Sequence, residues 1–155
     1  MRLKFSWLGA FLAACAVVAG ASMIRLTTEE LVAHATLVVT GTVEATRPLP
    51  PDAQGMIFTE VKVRVNDAVV GATAEDVITV RAWGGEYGDL GVVVEDQPTF
   101  TLGEDVVLFL APSTGGGYQC PDGVQSKYAI VDGTVLPAGV TLTEFLAEIA
   151  KAAGR

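Results

Sequence analysis

The sequence is poor in the residues that most often carry chemistry: one His, two Cys, and 10 Lys+Arg that form no basic run. One His and two Cys fall short of the four ligands of a structural Cys/His zinc site. They also fall short of the even cysteine framework that staples small exported domains. Without clustered Lys or Arg there is nothing to displace the counterions of a phosphate backbone, which argues against nucleic acid as a partner. No Gly-x-Ser-x-Gly, phosphate-binding loop, His-Glu-x-x-His or calcium-loop spacing is present. Repeats and low-complexity tracts are absent as well. No catalytic residue, metal or cofactor is therefore expected, and at this length the chain makes one domain.

What is present begins at the N-terminus. Arg2 and Lys4 precede Phe5 to Ile24, a stretch without a charge, in the pattern of an export signal, and Ala19-Gly20-Ala21 supplies small residues for cleavage. Residues 1–21 are expected to be removed, making Ser22 the first mature residue and 22–155 a single extracytoplasmic domain. Two other readings stay open. Leu12-Ala13-Ala14-Cys15 resembles a lipobox, with Cys15 the lipidation site, and an uncleaved apolar segment would just span a bilayer. In either of those cases, and only then, the membrane is a partner.

Removing residues 1–21 takes away two basic residues and no acid, leaving 8 basic and 18 acidic residues, a net of −10 where the whole chain has −8. Such acidity keeps an exported protein soluble. Cys120 becomes the one mature cysteine and reads as a small core residue, the alternative being a free thiol or an intermolecular bridge.

Leu26-Thr27-Thr28-Glu29-Glu30-Leu31 holds a capping box from Thr27 to Glu30 and a Leu26/Leu31 staple, which predicts a short helix over 28–35. Leu37 to Val43 predicts a buried strand in which Gly41 marks a bulge or close crossing. After a loop at 47–55, Ile57 to Val65 alternates: Ile57, Thr59, Val61, Val63 and Val65 face one way, and Phe58, Glu60, Lys62 and Arg64 the other. Val69-Val70-Gly71 breaks off this strand. Further strands are predicted over Val77 to Ala82, Val92 to Val94 and Val106 to Leu110. A hairpin turns on Asp132-Gly133 between 127–131 and 134–136. Leu142, Phe145, Leu146 and Ile149 recur at helical spacing and predict a C-terminal helix over 141–153 with one apolar stripe. The fold class expected is mainly β: an OB-like barrel of five to seven strands with a short N-terminal and a C-terminal helix.

The ordered set of the Leu26–Ala35 helix, Leu37–Val43, the long alternating strand, Ile78-Thr79-Val80 and Phe100 to Leu110 resembles uncharacterised exported bacterial domains. More distantly, over about Leu26 to Leu110, it resembles the OB-fold of the netrin-like module in tissue inhibitors of metalloproteinases. That resemblance implies a barrel and, as an alternative function, inhibition of an exported metalloprotease. The family's inhibitory mechanism uses an N-terminal cysteine to chelate zinc, and Ser22-Met23-Ile24 has none. The fold analogy carries over and the mechanism does not.

One stretch is compositionally distinctive: Trp83-Gly84-Gly85-Glu86-Tyr87-Gly88-Asp89-Leu90-Gly91. Its glycines free the backbone, Trp83 and Tyr87 offer broad amphipathic faces, and Glu86 and Asp89 offer acceptors. Loops and one barrel face of OB-folds bind oligosaccharides and other polymers. The leading expectation is a non-enzymatic module that recognises a protein or glycan through residues 83–96, with Trp83, Gly84, Gly85, Glu86, Tyr87 and Asp89 in contact. The competing reading folds the two aromatics back onto the core as a lid. A Cys120/His34 enzyme is a further alternative, since a thiol and an imidazole are a nucleophile and a base. His34 otherwise reads as a helix-end residue facing terminal carbonyls, and Glu95-Asp96 and Glu104-Asp105 as solvated turns.

Overall fold

The computed structural model describes residues 23–155; the predicted signal segment, Cys15 and Ser22 lie outside the described residues. The described chain is mainly β. In order it runs α1 (Thr28–His34), β1 (Leu37–Pro48), β2 (Phe58–Val70), β3 (Val77–Trp83), β4 (Gly85–Tyr87), β5 (Leu90–Val92), β6 (Asp105–Pro112), β7 (Tyr118–Gln119), a 3-10 turn (Gly123–Ser126), β8 (Lys127–Val131), β9 (Thr134–Leu136), β10 (Val140–Thr141) and α2 (Leu142–Ala152). Among the described residues no helix is long and apolar enough to cross a membrane.

Both helices begin as their sequences dictate. The Thr27 side chain accepts from the Glu30 backbone N–H while the Glu30 carboxylate accepts from the Thr27 N–H, and Thr141 and Glu144 repeat the arrangement at α2. Each box satisfies two backbone donors that a helix start leaves without partners. Hydrogen bonds from the Thr141 backbone and hydroxyl hold the Glu144 carboxyl below its ordinary range.

The main sheet is ordered β1-β2-β3-β7-β6-β8-β9-β10, and β1 also pairs with β6. Five strands thus run round a ring, β1-β2-β3-β7-β6 and back to β1. Its closure is slight, because β7 has two residues and meets β3 through the single parallel pair Val80–Tyr118. The expected closed barrel is therefore a ring only in part. β8, β9 and β10 extend the sheet from β6 instead of joining the ring.

Two apolar layers explain why β1 and β6 read as continuous hydrophobic runs and not as alternating ones. Leu37, Val39, Val43, Val106, Leu108 and Leu110 point into the ring with Val61, Val63, Ile78 and Val80. Val38, Val107 and Phe109 point outward and are covered by Leu31 of α1, Phe145 and Ile149 of α2, and Val135. Phe109 sits edge-on to Tyr128 and Phe145, with centroids 6.0 and 6.3 Å away. The stripe expected on α2 thus packs on the outside of the ring.

Several boundaries differ from expectation. β1 continues through Arg47 and Pro48, residues assigned to a loop, because their partners Glu60 and Thr59 keep the ladder going. β2 likewise runs on to Val70. Gly41 is the close crossing predicted: a Cβ there would lie 2.6 Å from the Arg64 carbonyl oxygen and 2.6 Å from Val63 Cγ1. The hairpin at 127–136 forms with the predicted limits, and both turn residues, Asp132 and Gly133, have positive φ as a type I′ turn requires.

Candidate functional site

The stretch expected to be a loop is a second, two-stranded sheet. β4 and β5 pair through Gly85–Val92, Glu86–Gly91 and Tyr87–Leu90 around a Gly88-Asp89 turn. Gly88 has φ +59° while Asp89 stays negative, which matches the II′ turn that favours Gly first. The strand expected over Val92 to Val94 is corrected here: Val92 ends β5, and Val93 is 95% exposed. Three valines in a row gave a β-rich pattern, but nothing packs on the middle one.

The hairpin leaves the main sheet at Gly84 and Gly85. The Gly84 N–H donates to the Ile57 carbonyl at 2.7 Å, and its carbonyl accepts from the Thr59 hydroxyl at 2.8 Å. Gly85 has φ +137°, and a Cβ there would lie 2.4 Å from Thr59 Oγ1. Only glycine fits so close an approach at that angle. The pair thus fixes where the hairpin emerges, beside the end of β3.

Trp83, the last residue of β3, is 49% exposed, Tyr87 is 42% exposed, and Leu90 is exposed between them and Val93. The aromatics are not a lid on the core. Trp83 is held on one side by Phe58, its cross-strand partner, whose ring meets the indole edge-on at 5.4 Å. Glu86 and Asp89 are exposed.

Beneath the hairpin lies an open cleft of about 320 Å³. Val61 and Ala82 form its floor, Val92, Val94, Pro98 and Phe100 its walls, and Trp83 with Thr46 its rim. Phe100 itself packs against the interior core. The cleft is thus an apolar opening at the end of the ring, with Trp83 at its edge, and it takes in Gly84, Gly85 and Glu86 of the predicted site. Tyr87 and Asp89 stand at the far end of the hairpin, away from the cleft lining.

Among the described residues no hydrogen bond joins His34 to Cys120. The Nδ1 atom of His34 lies 2.8 Å from Asp122 Oδ1, so the ring faces a carboxylate and not the helix-terminal carbonyls expected. Asp122 Oδ2 is buried without a hydrogen-bond partner. Cys120 is a free, partly buried thiol packed on the interior core. Burial pushes its pKa from 9.0 up to about 12, only weakly opposed by the Lys127 charge. Ser126 is fully buried and its hydroxyl accepts from the Asp122 N–H, while Lys127 binds the Thr99 carbonyl and Glu104, with Nζ 2.7 Å from Glu104 Oε1. Asp105 accepts from the Thr42 hydroxyl at 2.6 Å. Among the described residues, no three His, Cys, Asp or Glu side chains are grouped to hold a metal.

A thiol held neutral is a poor nucleophile. Native protein at pH 8 is expected to take up an alkylating reagent at Cys120 far more slowly than protein unfolded in urea, as followed by intact mass. Equal rates would contradict the burial. The raised pKa also sets a sign: the folded state keeps its proton when the unfolded state has lost it, so this stability is present below pH 9 and drains away as pH rises toward 12.

Sequence reasoning passed over Phe58, Arg81 and the segment 113–119, a loop that ends in β7. Arg81 lies on the outer face of β3, two residues before Trp83, with its guanidinium carbon 4.5 Å from the Phe58 ring centroid. The alternation of Ile57 to Val65 already put Phe58 on the solvent face, while Arg81 fell within the predicted strand Val77 to Ala82 with no face assigned. Their juxtaposition appears only with the register, which sets Phe58 opposite Trp83 and Glu60 opposite Arg81.

No protein-family model matches this chain, and a search of curated proteins finds no match.

Proposed function

We propose that this chain is an exported, non-enzymatic binding module that recognises a protein or glycan through the β4–β5 hairpin and the cleft beneath it. The observation that carries the reading is Trp83. A large aromatic left half-exposed where an apolar cleft meets a glycine-anchored hairpin costs solubility and adds little to the core. Aromatic anchors beside a desolvated pocket are what binding surfaces use. Export follows from the N-terminal signal pattern, with residues 22–155 acting outside the cytoplasm. Membrane attachment then depends on whether Cys15 is lipidated or the segment is kept.

The test probes immobilised protein against acidic and neutral polysaccharides and against the exported proteins of its own cell. Trp83→Ala and Tyr87→Ala are expected to leave the unfolding midpoint in place, with Trp83→Ala weakening the captured partner at least tenfold, since anchor residues contribute about 2 kcal/mol or more. If the variants unfold, or bind as the wild type does, this reading fails.

A further inference from the structure

On the other side of Trp83 lies a second concavity of different chemistry. It consists of two shallow depressions of about 230 and 180 Å³ that share Arg81, Trp83 and Gln119. Ser113 and Thr114 complete the first and Gln97 borders the second. The Arg81 guanidinium is clamped between them. One face lies over Phe58. On another side the loop passes as Gly115, where a Cβ would sit 1.7 Å from Arg81 Nη1. The guanidinium occupies the space a side chain at 115 would need.

This cation makes no direct ion pair among the described residues, although, behind the Arg47 hydrogen bond, its charge helps to hold the nearby Glu60 carboxyl below the usual range. Among the described residues none of the four ion pairs includes Arg81, and Nε is buried without a hydrogen-bond partner. Glu60, opposite it in register, is engaged by Arg47 at 2.7 Å. A partly desolvated guanidinium without a hydrogen-bonded anion is costly, and its planar fork matches a carboxylate through two parallel hydrogen bonds. With a net charge of −10 on residues 22–155, a densely charged polyanion is repelled more strongly than a ligand with one carboxylate per unit. The depressions are lined by hydroxyl and amide side chains and flank an indole. A polyhydroxylated sugar ring uses all of these together: hydroxyls on the polar groups, its apolar C–H face on the aromatic. An acidic peptide side chain needs the arginine but neither the cluster of hydroxyl and amide groups nor the indole face.

We propose that the Arg81 pocket binds the carboxylate of a uronate residue in an acidic glycan, with the indole of Trp83 against an adjoining sugar ring. This rests on the reading of the Trp83 face as a recognition surface and names its ligand class.

The test is calorimetric titration of the protein with a galacturonic acid trisaccharide, with the neutral galactose trisaccharide and with an acidic peptide. The acidic sugar is expected to bind at least tenfold more tightly than the neutral one, and the peptide not to bind. Arg81→Gln should abolish the preference. Gly115→Ala keeps the charge and an ordinary backbone angle but drives the guanidinium aside; it should abolish the preference too, with an unchanged melting temperature. Equal binding of the two sugars, a preference that survives both variants, binding of the peptide, or no binding of any probe each overturns the proposal. Neutral-sugar binding that is lost in Trp83→Ala would overturn the carboxylate assignment and leave the recognition surface standing. Sugar binding untouched by Trp83→Ala would count against both.

Discussion

Replacing Phe109 with alanine is expected to lower the unfolding free energy by about 3–5 kcal/mol, the largest effect of any single side chain considered. Phe109 is fully buried on the outer face of β6. It packs against the neighbouring strand and the covering helix, through Tyr128 on β8 and Phe145 on α2, whose own rings lie 4.7 Å apart. Alanine removes the ring and leaves a cavity beneath α2 that strands on either side cannot fill, because β1 and β8 are fixed to β6 by their ladders. Urea unfolding of the two proteins measures the difference. A loss under 1 kcal/mol would mean that α2 does not pack on the ring as described.

The second large effect belongs to Gly41, where alanine should cost about 1–3 kcal/mol through overpacking. The obstruction is the Arg64 carbonyl, a backbone atom locked in the β1–β2 ladder, together with the branched Val63 side chain. Neither can move far, since β1 is flanked on its other edge by β6. Gly115 is the instructive contrast, for there the obstacle is the tip of a flexible arginine and the fold should tolerate alanine. Parallel melts of Gly41→Ala and Gly115→Ala separate the two cases, and similar losses in both would contradict the distinction.

These effects also show what could be read in the sequence. Leu37 to Val43 and Val106 to Leu110 were legible as strands because both their faces are largely buried and no charged residue interrupts them. The 127–136 hairpin was legible because Asp132-Gly133 is a chemical instruction for one turn. The start of α1 was legible from the Thr27/Glu30 cap, whereas α2 was legible from its apolar stripe and its Thr141/Glu144 cap emerged with the structure. The β4–β5 hairpin was not legible as structure: its four glycines erase alternation, and its ladder is so short that no face is buried. β7 is two residues long and exists only through its neighbours. Trp83 and Tyr87 stood out by type alone. Arg81 did not, since its meaning depends on Phe58 from another strand and on a glycine far along the chain, contacts that no local pattern encodes.

Recognition through this face requires that a folded domain present Trp83 to solvent. Fluorescence of the protein carrying Trp7→Phe, which leaves Trp83 as the one indole, tests this directly. The predicted result is red-shifted emission, readily quenched by acrylamide in native protein that still unfolds cooperatively, and shielded from quencher by the galacturonic acid trisaccharide. Blue-shifted emission that acrylamide does not reach would place the indole in the core, and the recognition surface would not exist.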